Sequence, residues 1–337
     1  MSRGMARVDR SYTALRDAIG MWSACGIVFL SLLVPADSLA EGTRTPQGER
    51  RETLYFEVQG QPTRMAFVHA RIAGHETSML LDTGATAHVV ASWLVKAEGL
   101  ATQETTDGAS DHEGHHQEWM RRTEDTAIVL ESLGSLESKD HLVADVPPIF
   151  EQRNIGGIVS PWLLIKPGEA LLIDFKKKML RFGAPPPLRR EFENGRNECV
   201  LTRVAVDPCN TSAANRLSPI FVLPVKVGGY SARLAIDTGA TKSDVFQASS
   251  AGKSLQSQAS QKGEPSVGLS GPSESVVAPA QALEVGECHF QKDLDLVEGM
   301  PGRTCQRDGA LGIDVLHECR LLFEGRQLRV RCAGNGK

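Results

Sequence analysis

Leu81-Asp82-Thr83-Gly84-Ala85-Thr86 recurs as Ile236-Asp237-Thr238-Gly239-Ala240-Thr241, with Asp237 standing 155 positions after Asp82, and each copy follows a strand-like apolar run. A chain that repeats an acidic loop in this way is building a symmetric pair of carboxylates. An aspartate surrounded by apolar neighbours is costly when ionised, so a second one facing it can share a proton and leave one member charged as a base.

The repeat extends beyond the hexapeptide, and an internal repeat constrains the whole architecture. Without gaps, Phe67-Val68-His69-Ala70-Arg71-Ile72-Ala73-Gly74 aligns with Val222-Leu223-Pro224-Val225-Lys226-Val227-Gly228-Gly229, and Met79-Leu80-Leu81 with Leu234-Ala235-Ile236. Further on, Gly157-Ile158-Val159-Ser160-Pro161-Trp162-Leu163-Leu164 parallels Gly309-Ala310-Leu311-Gly312-Ile313-Asp314-Val315-Leu316, and each is followed by a hairpin-like stretch, Leu171 to Phe182 and Arg320 to Val330. Both halves therefore read strand, glycine turn, strand, Asp-Thr-Gly, second glycine turn, hairpin.

On these residues the chain resembles the pepsin and retropepsin superfamily of aspartic peptidases, over roughly residues 53 to 332. The resemblance implies an all-β fold of two retropepsin-like lobes related by a pseudo-two-fold axis, with few short helices. It also implies that Asp82 and Asp237 are the catalytic pair, that Gly84 and Gly239 bring backbone amides close to the carboxylates, and that Thr83 and Thr238 hydrogen-bond across the lobe boundary. An ionised aspartate would activate water while the protonated one donates to the developing oxyanion, with no cofactor, metal or covalent intermediate. The partner would be a polypeptide substrate in extended conformation, and one chain carrying both halves is expected to work as a monomer.

Ala85 and Ala240 follow the glycines, as in retropepsins, where pepsin-like enzymes place a hydroxyl that donates to the aspartate. Losing a donor raises a carboxylate pKa. The tyrosines are Tyr12, Tyr55 and Tyr230, so none lies between Asp82 and the end of the first half, where pepsin-like enzymes carry a flap tyrosine. By position, the flap segments are 103 to 122 and 263 to 277, and Trp119 is either a closing residue or a packing one. Ser160 replaces the glycine found at Gly312; if the turn needs positive φ, serine fits poorly and the first subsite wall is distorted.

Arg3, Arg7, Arg10 and Arg16 precede an apolar stretch from about Ala18 to Pro35, and Ser38-Leu39-Ala40 offers a signal-peptidase site. Residues 1–40 thus read as a signal peptide, giving an exported, periplasmic or secreted, protein with no membrane span after cleavage; an uncleaved anchor is the competing reading. Beyond Cys25, the six cysteines Cys199, Cys209, Cys288, Cys305, Cys319 and Cys332 all lie in the second half, and an even set in an exported chain reads as disulfides. Closeness in sequence favours Cys199 with Cys209, Cys319 with Cys332, and Cys288 with Cys305. A zinc site is the alternative, weakened by the lack of Cys-x-x-Cys pairs.

The 337 residues carry 37 basic and 41 acidic side chains. That balance offers no basic patch for nucleic acid, and the run Lys176-Lys177-Lys178 reads as a solvated hairpin turn. Residues 41–52 read as a disordered N-terminal segment, 53–183 as the first lobe, 184–198 as a linker and 199–337 as the second lobe. Three successive prolines, Pro185 to Pro187, remove donors in sequence and predict an extended linker. Short helices are expected around Ala91 to Gly99 and near Trp162 or Val315.

Asp111 to His116 holds ligand-type side chains in a row, but adjacent residues seldom converge on one ion, so a solvated loop is the default. His88, six residues past Asp82, either tunes the dyad or packs beneath its loop, with packing favoured; Asp174 and Asp314 read as structural. A function of another class also stays open. The same double fold without turnover would be a peptide-binding or assembly module that holds an extended segment by backbone hydrogen bonds.

Overall fold

The structure is a computed structural model and describes residues 48–105, 109–110, 116–117, 120–136, 138, 141–194, 198–200, 205–206, 218–259, 261–263, 266–268, 271–299 and 307–333. The proposed signal peptide, Trp119, Cys209, Cys305 and the loop 111–115 lie outside the described residues. Strands dominate and helices are short, so the molecule is all-β.

Each half begins with a hairpin. Gln61–Ile72 pairs antiparallel with His75–Leu81, and Phe221–Val227 with Tyr230–Ile236. The two turns match: Ala73 and Gly74 have φ of 50° and 93°, Gly228 and Gly229 of 55° and 88°. Positive φ at both central residues is the turn whose twist suits paired strands, and glycine adopts it without a Cβ penalty.

The strand leading into each aspartate then becomes internal to a sheet. His75–Leu81 pairs in parallel with Ile155–Val159, which pairs antiparallel with Val89–Ala91, itself parallel to Leu142–Ala144. In the second lobe Tyr230–Ile236, Gly309–Leu311, Asp244–Phe246 and Cys288–Val297 repeat this order and these directions. Strands covered on both faces lose the in-out alternation of a half-buried strand. Ile155–Val159 and Gly309–Leu311 are accordingly buried at every position.

A six-stranded antiparallel sheet joins the halves. Ala170–Asp174 pairs with Cys319–Glu324 in the register Ala170↔Glu324 to Asp174↔Arg320, and each strand also pairs with its own hairpin partner, Met179–Gly183 or Gln327–Cys332. One buried cluster runs from Leu54 to Cys332 through both halves. In the turn of the first hairpin Lys176 and Lys177 are exposed, while buried Asp174 accepts from the Lys177 amide. The helices Ser92–Ala97 and Ile313–Leu316 and the 3-10 turn Pro161–Leu164 stand where short helices were expected.

Three expectations need correction. The predicted extended linker contains a helix, Pro185–Glu193, with all three prolines in its first turn. The amides of that turn have no intrahelical acceptor, so missing donors cost nothing there and the fixed φ suits a helix start. Residues 50–52 are ordered, not disordered: Arg50–Thr53 is an edge strand of the central sheet. Buried Glu52 locks that strand in place by accepting from the Ser132 and Leu133 amides. Finally, Cys199 pairs with Cys288 across 89 residues and not with Cys209, which also removes the pairing of Cys288 with Cys305. Cys319–Cys332 forms as expected. Cys332 faces both Cys199 and Cys319 in strand register; with Cys319 taking it, Cys199 reaches Cys288 instead.

Candidate active site

Asp82 and Asp237 end the strands His75–Leu81 and Tyr230–Ile236, and the chain then turns so sharply that each carboxylate folds back onto its own loop. Asp82 Oδ1 accepts from the amides of Gly84 at 2.6 Å and Ala85 at 3.1 Å; Asp237 Oδ1 accepts from those of Gly239 at 2.8 Å and Ala240 at 3.1 Å. No hydroxyl stands at position 85 or 240 to add a further donor.

Two threonines hold the loops together. Thr83 N–H donates to Thr238 Oγ1 at 3.0 Å, and Thr238 N–H donates to Thr83 Oγ1 at 3.0 Å. Each hydroxyl in turn donates across the boundary, Thr83 to the Ile236 carbonyl at 2.9 Å and Thr238 to that of Leu81 at 2.8 Å. Both side chains are buried, so all four bonds form away from competing water.

This grip brings the carboxylates face to face, within hydrogen-bonding reach of each other. A Cβ on Gly84 would lie 2.8 Å from the carboxylate carbon of Asp237, and one on Gly239 would lie 2.6 Å from that of Asp82. Glycine is required at both positions by contact, because each loop backs directly onto the opposing acid. Gly239→Ala is therefore expected to push Asp82 off its partner with the far-UV circular dichroism unchanged and, if the pair cleaves peptides, to lower that activity by about a hundredfold or more, the scale of a 1 Å misplacement. Wild-type activity in that variant would remove the steric argument.

Both aspartates keep some accessible surface, so water reaches them, yet Asp82 is packed as densely as an interior group. Desolvation by burial, then the Asp237 charge, raise its pKa well above the ordinary 3.8 against the opposing pull of the Gly84 and Ala85 amides. A carboxyl that keeps its proton beside one that has lost it can donate while its partner accepts.

Beneath the loops, the second turns differ between lobes in an unexpected way. Ser160 has φ −80° and Gly312 φ −86°, so neither uses the left-handed region and serine is not strained; the expectation of a distorted wall on that ground is corrected. Glycine at 312 answers to crowding, since a Cβ would meet the Lys242 carbonyl carbon at 2.5 Å. Ser160 is fully buried. His88 is buried beneath the loop, its Nδ1 accepting from the Ser160 amide at 3.2 Å, and Asp314 accepts from the Ser243 hydroxyl at 2.8 Å.

Three residues that sequence reasoning missed adjoin the site. Ser243 donates to Asp314 and accepts from the Gly312 amide; it stands 155 positions after His88, so the repeat register itself pointed to it. His141 packs edge-on to His88 with ring centroids 6.2 Å apart. Ser218 donates its amide to the Thr86 carbonyl at 2.8 Å, tying the entry of the second lobe to the first loop.

The flap segments predicted by position are hairpins in their described backbone. Thr102–Glu104 pairs with Arg121–Thr123 and Ala109–Ser110 with His116–Gln117 in the first, and Ser266–Gly268 pairs with Gly271–Ser273 in the second. Among the described residues no group of three or more His, Cys, Asp or Glu side chains could hold a metal ion. A surface depression of about 440 Å³ on the outer hairpin of the second lobe, lined by Lys226, Arg233, Glu284 and Asp308 among others, includes neither aspartate.

No protein-family model matches the chain, and no curated protein does. Among solved structures it is similar to the crystal structure of an aspartic proteinase from Irpex lacteus, with a TM-score of 0.45 and 12% sequence identity over 85% of this chain and 97% of that one.

Proposed function

We propose that the chain is an aspartic endopeptidase in which Asp82 and Asp237 activate one water molecule between them. The observation that carries this reading is the facing pair of carboxylates, backed by opposing glycines and locked by Thr83 and Thr238. Two acids held this close are a standing cost to folding, which a pure binding module would have no reason to keep.

In the proposed cycle the ionised aspartate takes a proton from the water, whose oxygen attacks the scissile carbonyl carbon. The protonated aspartate gives its proton to the carbonyl oxygen, and a neutral tetrahedral diol forms. One diol hydroxyl then returns its proton to the dyad as the carbon–nitrogen bond breaks, and the leaving nitrogen takes a proton from the other carboxyl. The dyad thus ends with one proton, as it began.

The substrate is an extended polypeptide, and a monomer suffices because one chain supplies both acids. Export fits the two disulfides found among the described residues. No helix among the described residues is long and apolar enough to cross a membrane.

The test is digestion of a mixed peptide library by the purified protein beside Asp82→Asn and Asp237→Asn variants. Equal cleavage by all three would remove the dyad, and peptide binding without cleavage by the wild type would favour the silent module. The pH–rate profile supplies a second check. With alanines after both glycines and Asp82 raised by burial, the optimum is expected at mildly acidic to near-neutral pH; a peak below about pH 3 would contradict it, because that requires dyad values like those of pepsin.

A further inference from the structure

One peptide group in each lobe is gripped at both ends. In the first lobe the peptide joining Val159 to Ser160 offers its carbonyl to the Asp82 amide at 3.0 Å and its N–H to His88 Nδ1 at 3.2 Å. In the second lobe the peptide joining Leu311 to Gly312 offers its carbonyl to the Asp237 amide at 3.1 Å and its N–H to Ser243 Oγ at 3.0 Å. His88 and Ser243 are the same position of the repeat. A peptide group is planar and rigid, so a side chain that fixes its N–H also fixes its carbonyl, and through it the backbone of the aspartate.

The two lobes solve the same problem with different chemistry. A serine hydroxyl accepts and donates at once, and Ser243 does both, to Gly312 and Asp314. An imidazole nitrogen accepts only while it carries no proton. Since the Ser160 amide can only donate, Nδ1 must hold a lone pair, which assigns the neutral ring with its proton on Nε2.

We propose that His88 is a positioning residue for Asp82, and that its neutral imidazole acts through the Val159–Ser160 peptide to hold the first catalytic loop in register with the second. A proton added at Nδ1 would set two donors against each other and release the peptide. The facing titratable group is His141, whose ring abuts that of His88, and among the described residues no carboxylate acts on His88 to stabilise an imidazolium. Burial, reinforced by His141, accordingly lowers the His88 pKa to about 3, which keeps the latch closed through the working range. The inference rests on the reading of Asp82 and Asp237 as a catalytic pair, but its physical core, the latch, can be read without activity.

The experiment compares wild type with His88→Asn, whose amide oxygen supplies a pH-insensitive acceptor, and with His88→Leu, which has the bulk and no acceptor. In His88→Leu, kcat is expected to fall about tenfold to a hundredfold with KM within about threefold, while His88→Asn stays within about threefold of wild type. Below about pH 4 the wild type is expected to lose activity more steeply than His88→Asn, because one fewer proton is involved in the variant. Hydrogen exchange provides the readout that does not depend on turnover: the Asp82 and Ser160 amides should exchange at least about tenfold faster in His88→Leu than in His88→Asn, with Asp237 and Gly312 unchanged. Equal exchange at Asp82 and Ser160 in all three proteins, or His88→Asn behaving like His88→Leu, would overturn the proposal. If the wild type cleaves no peptide yet the exchange pattern holds, the peptidase reading fails and the latch stands. If His88→Leu does not fold, the acid limb and exchange of His88→Asn against wild type decide the matter alone.

Discussion

Asparagine at either position 82 or position 237 is expected to lower kcat/KM by about a thousandfold, the middle of the range that a positioned general acid or base supplies. The amide side chain keeps the size of the acid and an oxygen to accept from the loop amides of Gly84 and Ala85, or of Gly239 and Ala240, so the loop geometry should survive. What it loses is the shared proton, and with it the ability to take one proton from water and give another to the carbonyl. Because the two acids act as a unit, the double variant should be little worse than either single one. Independent, multiplying losses would show that the acids do not share a step.

The same substitution carries a stability signature of opposite sign. The Asp82 pKa is raised in the folded protein, so the folded state holds that proton to higher pH than the unfolded chain does. The contribution is fully present below 3.8 and is lost as pH rises through the raised value. An asparagine side chain cannot ionise, so Asp82→Asn should be more stable than wild type toward urea at neutral pH, with the gap closing as the pH falls from the raised value to 3.8 and constant below that. A variant that is less active and less stable at neutral pH would point to a damaged loop, not to a missing proton. His88 works the other way: its folded value, about 3 against an ordinary 6.5, gives stability that is present above 6.5 and lost as pH falls toward 3.

How much of this could be read in the amino acids depended on whether the information was local. Asp-Thr-Gly, the two-glycine turns and the apolar strands are encoded within a few residues, and their duplication carries the order of elements, the all-β class and the two-lobed plan. The crossing hydrogen bonds of Thr83 and Thr238 are what the resemblance implied for that position of each copy, and the structure has them. Cysteine pairing follows only where the partners are close in sequence, as for Cys319 and Cys332, and fails for Cys199. It depends on which strands the central sheet brings together, and Cys199 lies 133 residues from its strand neighbour Cys332 and 89 from its bonded partner Cys288. Proline misleads at Pro185 to Pro187 because the same missing donors that bar it from a sheet are harmless in a first helical turn. Ser160 misleads for a related reason: the glycine at its counterpart, Gly312, is there for want of room, not for an unusual φ. The role of His88 is invisible until the peptide it grips can be seen to grip Asp82 as well.

Thr238→Val is expected to destabilise the protein by about 2–4 kcal/mol, because it strands two buried partners at about 1–3 kcal/mol each, less some relaxation. Valine matches threonine in shape, so packing is preserved and only the hydroxyl is lost. The Thr83 amide, which donates to Thr238 Oγ1, and the Leu81 carbonyl, which accepts from it, are left with nothing in a place that water does not reach. Thr238→Ser keeps both bonds and gives up one methyl group, so it should stay within about 1.5 kcal/mol of wild type. Urea unfolding of the three proteins makes the comparison, with an unchanged m-value showing that the unfolded state has not moved. Valine as stable as serine would mean that the crossing bonds do not hold the loops. The kinetic consequence separates this grip from ordinary core packing. Leu81 and Thr83 flank Asp82, so loosening their two bonds frees the first aspartate from a substitution made in the second lobe. A core defect of the same size in the outer hairpin of either lobe should cost stability alone, whereas Thr238→Val should also lower kcat by about tenfold or more while the protein is still folded.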